Sequence, residues 1–249
     1  MNALPGKALT VDLAVPERAL AIGAHPDDVE FGCGATLAKW AAAGCVVNHL
    51  VCTDGSKGSW DASTDVARLV VTRQDEQRAA ARCLGATGET VFLGWPDGEL
   101  ESGLGPRAQV AYWVRTLRPV VVLGHDPWRR YRLHPDHRHA GFLACDGIVA
   151  ARDPHFFPEQ GVAPWRPSTL LLWEADEVDH AEGVDGYTDA LLAGLFAHES
   201  QLRSTMDIDD AGSADQQDRF RRHVLDRLTE NGRSAGLVHA EVFKRLDDL

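Results

Sequence analysis

Residues 18–40, RALAIGAHPDDVEFGCGATLAKW, decide the fold. An apolar run over 18–24 leads into His25-Pro26-Asp27-Asp28, and an alanine-rich segment over 34–43 follows, with Gly44 as its C-cap. Near-continuous apolarity suits a strand buried on both faces, so the stretch reads as strand, loop, helix. Four further runs, 45–53, 90–94, 119–126 and 168–175, repeat the strand pattern. Helical spacing runs over 64–84, with Ser63 or Thr64 as N-cap and Gly85 as stop, and over 107–118, 136–150, 187–202 and 216–230. Alternation of this kind predicts a single α/β domain: a Rossmann-like parallel sheet with helices on both faces. The Pro-rich, aromatic segment 151–167 reads as a long loop. In such sheets ligands bind beyond the carboxyl ends of the strands, where the strand order reverses.

Composition narrows the function. A chain of 249 residues, 44% hydrophobic and 25% charged, can bury a substantial core. A net charge of −12 argues against non-specific nucleic-acid binding. No run of 18 apolar residues predicts a membrane span, and the N-terminal residues show no leader pattern, so a cytoplasmic location is expected. Five cysteines without a C-x-x-C pair read as buried free thiols in a reducing compartment. A homo-oligomer is compatible with all of this.

Two clusters carry chemistry. In the first, His25 and Asp28 lie three apart in a turn that Pro26 stiffens, which can bring imidazole and carboxylate to one point. Taken alone, the cluster is equally a polar turn in which Asp27 or Asp28 caps the next helix. The second, His134-Pro135-Asp136-His137, follows the strand over 119–126 and changes the balance. A catalytic zinc takes three protein ligands and keeps one open position. His25, Asp28 and one histidine of the second cluster supply that set, which accepts Zn²⁺ or Fe²⁺. Asp27 remains to take a proton from an activated water, and the other histidine to stabilise an oxyanion or protonate a leaving group. Together the clusters point to a metal hydrolase.

With TDGSKGS (53–59), RQDEQRAAARCLG (73–85), FLGWPDGEL (92–100), HPDHRHAG (134–141) and HESQLRSTM (198–206), the sequence resembles the LmbE/PIG-L-type de-N-acetylases. The resemblance is best over 20–150, with 168–249 completing the sheet and helices of one domain over 1–249. It implies a zinc-dependent enzyme that removes an N-acetyl group from a GlcNAc-type amino sugar, a small-molecule partner. It further implies metal ligation by His25, Asp28 and His137, with Asp27 as general base and His134 as oxyanion stabiliser or acid. Arg73 and Asp97 fall in the matching segments and are expected to contact substrate. One departure stands two residues before His134, where members acting on an inositol glycoside tend to carry tyrosine and this chain has Arg132.

Arg129, Arg130 and Arg132 either hold an anion on the substrate or pair with local acids. His125 and Asp126 read as a satisfied strand-end pair, and Glu30 as an orienter of His25 or a helix-start charge. Gly32 and Gly34 read as tight helix–sheet packing, since Leu37 breaks the dinucleotide-loop pattern. Trp60, Trp95, Trp128 and Trp165 line a sugar-binding mouth or pack on one another. His-Pro-Asp also marks a co-chaperone hairpin, but there it joins two helices, whereas both copies here follow strands. An amidase acting on a larger conjugate, such as a thiol S-conjugate, and a sugar- or metal-binding member without turnover are the alternatives.

Overall fold

Side chains alternate along the strand Arg18–Gly23, and that alternation defines the two faces of the sheet. Leu20 and Ile22 point to one face, where they join Val110, Val114, Leu143 and Ile148. Ala19 and Ala21 point to the other and pack with Val29, Leu37, Trp40 and Trp173. Every residue of the run but Arg18 is buried, as expected for a strand covered on both sides.

The computed structural model describes residues 9–249, so the N-terminal reading at 1–8 lies outside the described residues. In chain order the elements are β1 (Thr10–Val11), β2 (Arg18–Gly23), α1 (Asp28–Ala42), β3 (Val46–Thr53), α2 (Val66–Cys83), β4 (Thr90–Trp95) and α3 (Leu104–Leu117). Then follow β5 (Val121–His125), α4 (Pro135–Arg152), β6 (Thr169–Trp173), β7 (His180–Gly183), α5 (Thr188–Phe196), α6 (Ala214–Arg233) and β8 (Ala240–Asp247). All five expected strands form, in one eight-stranded sheet of order β1-β7-β8-β6-β5-β2-β3-β4.

The sheet is mixed, not wholly parallel as expected. β8 runs antiparallel between β6 and β7, while the other neighbours are parallel. Sequence reading overlooked β1, β7 and β8. β7 is polar because Glu182 works inside the fold: its buried carboxylate accepts from the Leu13 amide (2.8 Å), Lys39 Nζ (2.5 Å) and His180 Nε2 (2.9 Å).

α1 begins six residues before the expected start. It has a break at Cys33 (φ −154°), and the amides of Ala35 and Thr36 just beyond donate to the buried Glu241 carboxylate of β8 at 3.0 and 2.7 Å. A second N-terminus inside the helix is thus capped from the sheet, and the expected segment 34–43 is the part after the break. A Cβ on Gly32 would sit 2.5 Å from the Trp173 ring, and one on Gly34 2.8 Å from Leu191 of α5, so the second close approach is helix on helix. The N-cap of α2 is Asp65, not Ser63 or Thr64: its side chain accepts from the Arg68 amide at 3.1 Å. The segment 187–202 divides into α5 and a 3₁₀ turn at Glu199–Gln201. All five cysteines are free, but only Cys33, Cys45 and Cys52 are buried; Cys145 is half-buried and Cys83 exposed. No helix among the described residues is long and apolar enough to cross a membrane.

What matters for the site is that β2 and β5 are neighbours, paired from Ala19↔Val121 to Ile22↔Gly124. β3 lies on one side of β2, and β5 followed by β6 on the other, so the strand order reverses at this pair. The loop after β2 carries His25 and the loop after β5 carries His134. Adjacency of the two strands puts both motifs at one end of the sheet.

Candidate metal centre and its cleft

His25, Asp28 and His137 converge. His25 Nδ1 lies 3.2 Å from His137 Nε2 and 3.3 Å from Asp28 Oδ2, and His137 Nε2 lies 3.3 Å from Asp28 Oδ1. A tetrahedral cation with bonds of about 2.0–2.1 Å has ligand-to-ligand edges of about 3.3 Å, and the two imidazole nitrogens and the Asp28 carboxylate stand at that spacing, each nitrogen facing a different carboxylate oxygen. Without a cation, an N–H of His25 or His137 lies in these contacts, since three bare acceptors at this spacing would repel one another.

The proton on His25 is fixed by its surroundings. Nε2 faces two carboxylates, Asp136 at 3.1 Å and Asp97 at 3.3 Å, which hold an N–H there, so a cation in the triangle would take the place of the proton on Nδ1. Asp136, fully buried, also accepts from the amides of Gly98 (2.6 Å) and Leu100 (3.3 Å), which ties the loop after β4 to the motif after β5. Burial lowers the His25 pKa, yet hydrogen bonds to Asp136, Asp28 and Asp97 outweigh it and hold the imidazole well above its ordinary range. Burial pushes the Asp28 carboxyl up, and His137 and His125 more than reverse that, leaving it well below the usual carboxylate range. Both shifts come from the close pairing of imidazoles and carboxylates at this point.

Asp27 sits beside the triangle in a conformation that L-residues rarely adopt, φ 108° and ψ −26°. Its amide donates to Gln77 Oε1 at 2.9 Å, and the Gln77 amide group donates in turn to Glu30 Oε1 at 2.8 Å. Burial pushes the Asp27 carboxyl up to about 6, with the Arg73 guanidinium opposing and the Asp28 carboxylate reinforcing the rise. His134 packs edge-on to His25 (4.6 Å) and stacks on His137 (4.8 Å). Burial and the His25 and His137 rings hold His134 below the ordinary imidazole range, so at pH 7 it offers an N–H and no charge.

The remaining expected residues are placed as follows. Asp97 lines the cleft and faces His25. Arg73 lines it too, but it is 3% exposed. Its Nη atoms are spent on the Gly55 carbonyl (2.9 Å), the Pro26 carbonyl (2.6 Å) and Asp27 (3.4 Å), so it positions the first motif. The arginine loop is taken up by local acids: Arg129 pairs with Glu174 at 3.1 Å, Arg130 with Asp176 at 3.8 Å, and Arg132 with Glu174. The anion-binding expectation for Arg132 gives way to these contacts, together with a 2.8 Å contact from its Nη1 to His137 Nδ1.

Sequence reading missed three residues. His125 is not paired with Asp126. Its Nδ1 accepts from Trp173 Nε1 at 3.0 Å and its Nε2 lies 3.3 Å from Asp28, so it orients that carboxylate. Asp136, in the middle of the second motif, and Gln77, one residue after Glu76, had no assigned role. Glu30 serves not His25 but Gln77 and His198 (3.3 Å). Trp95 ends β4, and of Trp60, Trp95, Trp128 and Trp165 only Trp60 reaches the cleft, a concavity of ≈ 480 Å³ that the triangle also lines.

A family model described as PIG-L, GlcNAc-PI de-N-acetylase, matches residues 20–147. The chain belongs to this family. It is 31% identical to a diacetylchitobiose deacetylase of Thermococcus kodakarensis over 75% of this chain and 70% of that one. It is 35% identical to a 1D-myo-inositol 2-acetamido-2-deoxy-alpha-D-glucopyranoside deacetylase of Streptomyces avermitilis over 59% of this chain and 58% of that one, so it spans a little over half of that relative. Among solved structures it resembles N,N'-diacetylchitobiose deacetylase from Pyrococcus horikoshii, with a TM-score of 0.83 and 26% identity over 93% of this chain and 84% of that one.

Proposed function

We propose that this PIG-L family member is a zinc-dependent hydrolase that removes the N-acetyl group from a GlcNAc-type amino sugar. The observation that carries this reading is the His25, Asp28 and His137 triangle, with its edges of 3.2–3.3 Å and a buried, unprotonated-capable carboxylate, Asp27, at its side. The deacetylases among its relatives support the substrate class.

His25, Asp28 and His137 would hold the metal, which when bound polarises the amide carbonyl and lowers the pKa of a water toward about 7. Asp27 takes the proton of the attacking water at its carboxylate. A carboxyl raised toward 6 is a stronger base than a free aspartate and is still ionised at neutral pH. Gln77 and Arg73 fix its backbone and carboxylate, so the base is aimed before substrate arrives. His134 donates its N–H to the carbonyl oxygen as negative charge develops there. Asp27, now protonated, returns its proton to the departing amine, giving acetate and the free amino sugar.

The test is metal content and acetate release, with N-acetylglucosamine and N,N′-diacetylchitobiose, for wild type, His25→Ala and Asp27→Asn. Near-stoichiometric metal in wild type and Asp27→Asn, its loss in His25→Ala, and a rate roughly 10²–10⁴-fold lower in Asp27→Asn are expected. A metal-free wild type that takes up neither zinc nor iron would refute the reading.

A further inference from the structure

Four side chains fully withdrawn from solvent form one chain of contacts that ends at Asp27: His198, just before the 3₁₀ turn, Glu30 of α1, His49 of β3 and Gln77 of α2. We propose that Glu30 is a positioning residue for the base: it fixes which way the Gln77 side-chain amide faces, and through that amide it holds Asp27 beside the triangle. The inference rests on the reading of Asp27 as the base and deepens it.

Both ends of the Gln77 amide meet partners of fixed polarity. The Asp27 N–H can only donate, and it finds Gln77 Oε1 at 2.9 Å. An ionised Glu30 can only accept, and its Oε1 lies 2.8 Å from Gln77 Nε2. The second N–H of that nitrogen faces His49 Nδ1 at 3.2 Å. Burial holds His49 below the ordinary imidazole range, so at pH 7 the ring is neutral, accepts at Nδ1 and carries its proton on Nε2. A Gln77 amide turned the other way would set its carbonyl against a carboxylate and its NH₂ against an N–H. Glu30 is itself held by His198, whose Nε2 donates to Oε2 at 3.3 Å. Burial lowers the His198 pKa, but Glu30 outweighs it and keeps the imidazole above its ordinary range.

Stability alone would not select this arrangement. Buried ion pairs are often replaced by well-packed apolar groups without loss, and here His49 Nε2 and His198 Nδ1 have no partner among the described residues. What the network secures is Asp27. A residue at φ 108° keeps that conformation only where its surroundings hold it, and the hydrogen bond to Gln77 holds Asp27 by its amide. Arg73 reaches the other end of the residue, 3.4 Å from the carboxylate. Gln77 can serve in this way only while Glu30 keeps its amide from turning.

Exchanging the two residues tests this. Gln77→Glu alone sets two carboxylates against each other along the 2.8 Å contact. Gln77→Glu combined with Glu30→Gln restores one donor and one acceptor there with the charge unchanged, keeps an acceptor for the Asp27 amide, and lets the His49 proton move to Nδ1. Acetate release is followed with N-acetylglucosamine and N,N′-diacetylchitobiose. Gln77→Glu should lower kcat by about 10²-fold, the scale of a misplaced catalytic group, with KM and metal content unchanged. The double variant should return to within about tenfold of wild type. A kcat that the exchange does not restore, or a loss carried by KM or metal content instead, overturns the proposal and leaves the deacetylase reading standing. Should Gln77→Glu fail to fold, the kcat of the double variant decides by the same limit. Should wild type release acetate from neither sugar, that reading falls, and crystal structures of the variants decide the positioning. Asp27 leaving the left-handed region in Gln77→Glu and returning to it in the double variant upholds the proposal, and Asp27 at φ near 108° in both overturns it.

Discussion

Asp136→Asn tests how the metal centre is held together. The carboxylate lies 3.1 Å from His25 Nε2 and accepts the Gly98 and Leu100 amides. Asparagine keeps one oxygen for those amides but brings an NH₂ group that cannot accept the His25 proton. His25 is then free to place its proton on Nδ1, the atom that faces the triangle. Removing an outer-shell partner of this kind weakens metal binding by about 10–100-fold. Asp97 stands 3.3 Å from the same nitrogen and still accepts from it. The single variant should therefore lose only about tenfold in zinc affinity, roughly 1.4 kcal/mol. Asp97→Asn with Asp136→Asn should approach a hundredfold, because both carboxylates then fail the same proton. Competition with a chromophoric chelator at neutral pH measures the affinity, and thermal unfolding of the metal-free variants checks that the loops stay folded. Unchanged affinity in the double variant would refute the coupling between these carboxylates and the His25 tautomer.

Two further outcomes follow from contacts around the site and across the sheet. Arg132→Met should raise zinc affinity by about tenfold, since a guanidinium can only donate and its contact with His137 Nδ1 favours the tautomer that protonates Nε2; lower affinity in the same chelator competition would contradict this. Glu182→Gln should cost about 2 kcal/mol at pH 7, less than the ~3–5 kcal/mol of a fully stranded ion because Asp12 still accepts from Lys39 at 2.8 Å. Burial raises the Glu182 pKa, but His180, Lys39 and the Leu13 amide outweigh it and leave the group lowered in the folded state. Its stabilisation is then present above the unfolded value of about 4.3 and fades as the pH falls below it, so the gap between wild type and variant in urea unfolding should narrow there. A gap that widens with acid would have the sign wrong.

Much of the centre could be read from the chain because strands buried on both faces announce themselves and the two motifs sit directly behind two of them. His25, Asp28 and His137 meet because β2 and β5 are neighbours, a strand order that strand–helix alternation alone leaves open. What could not be read depends on partners far away in sequence. β7 and β8 look too polar for a sheet interior until Glu182 is seen with Lys39, and Glu241 with the broken first helix. The arginine loop looks like an anion site until Glu174 and Asp176, on the far side of β6, come up beside it. His125 and Asp136 are ordinary motif neighbours in one dimension; only the packing of α4 against β5 shows which nitrogen and which oxygen each of them faces.

The twist at Asp27 has a consequence for any attempt to improve this protein by selecting survivors of heat. A side chain held at φ 108° costs about 1–2 kcal/mol that glycine at the same place would not incur. A library screened for stability alone would drift toward Asp27→Gly, and the winners would be well-folded molecules without the carboxylate proposed as the base. Heat challenge of this chain therefore has to be coupled, round by round, to a chemical readout.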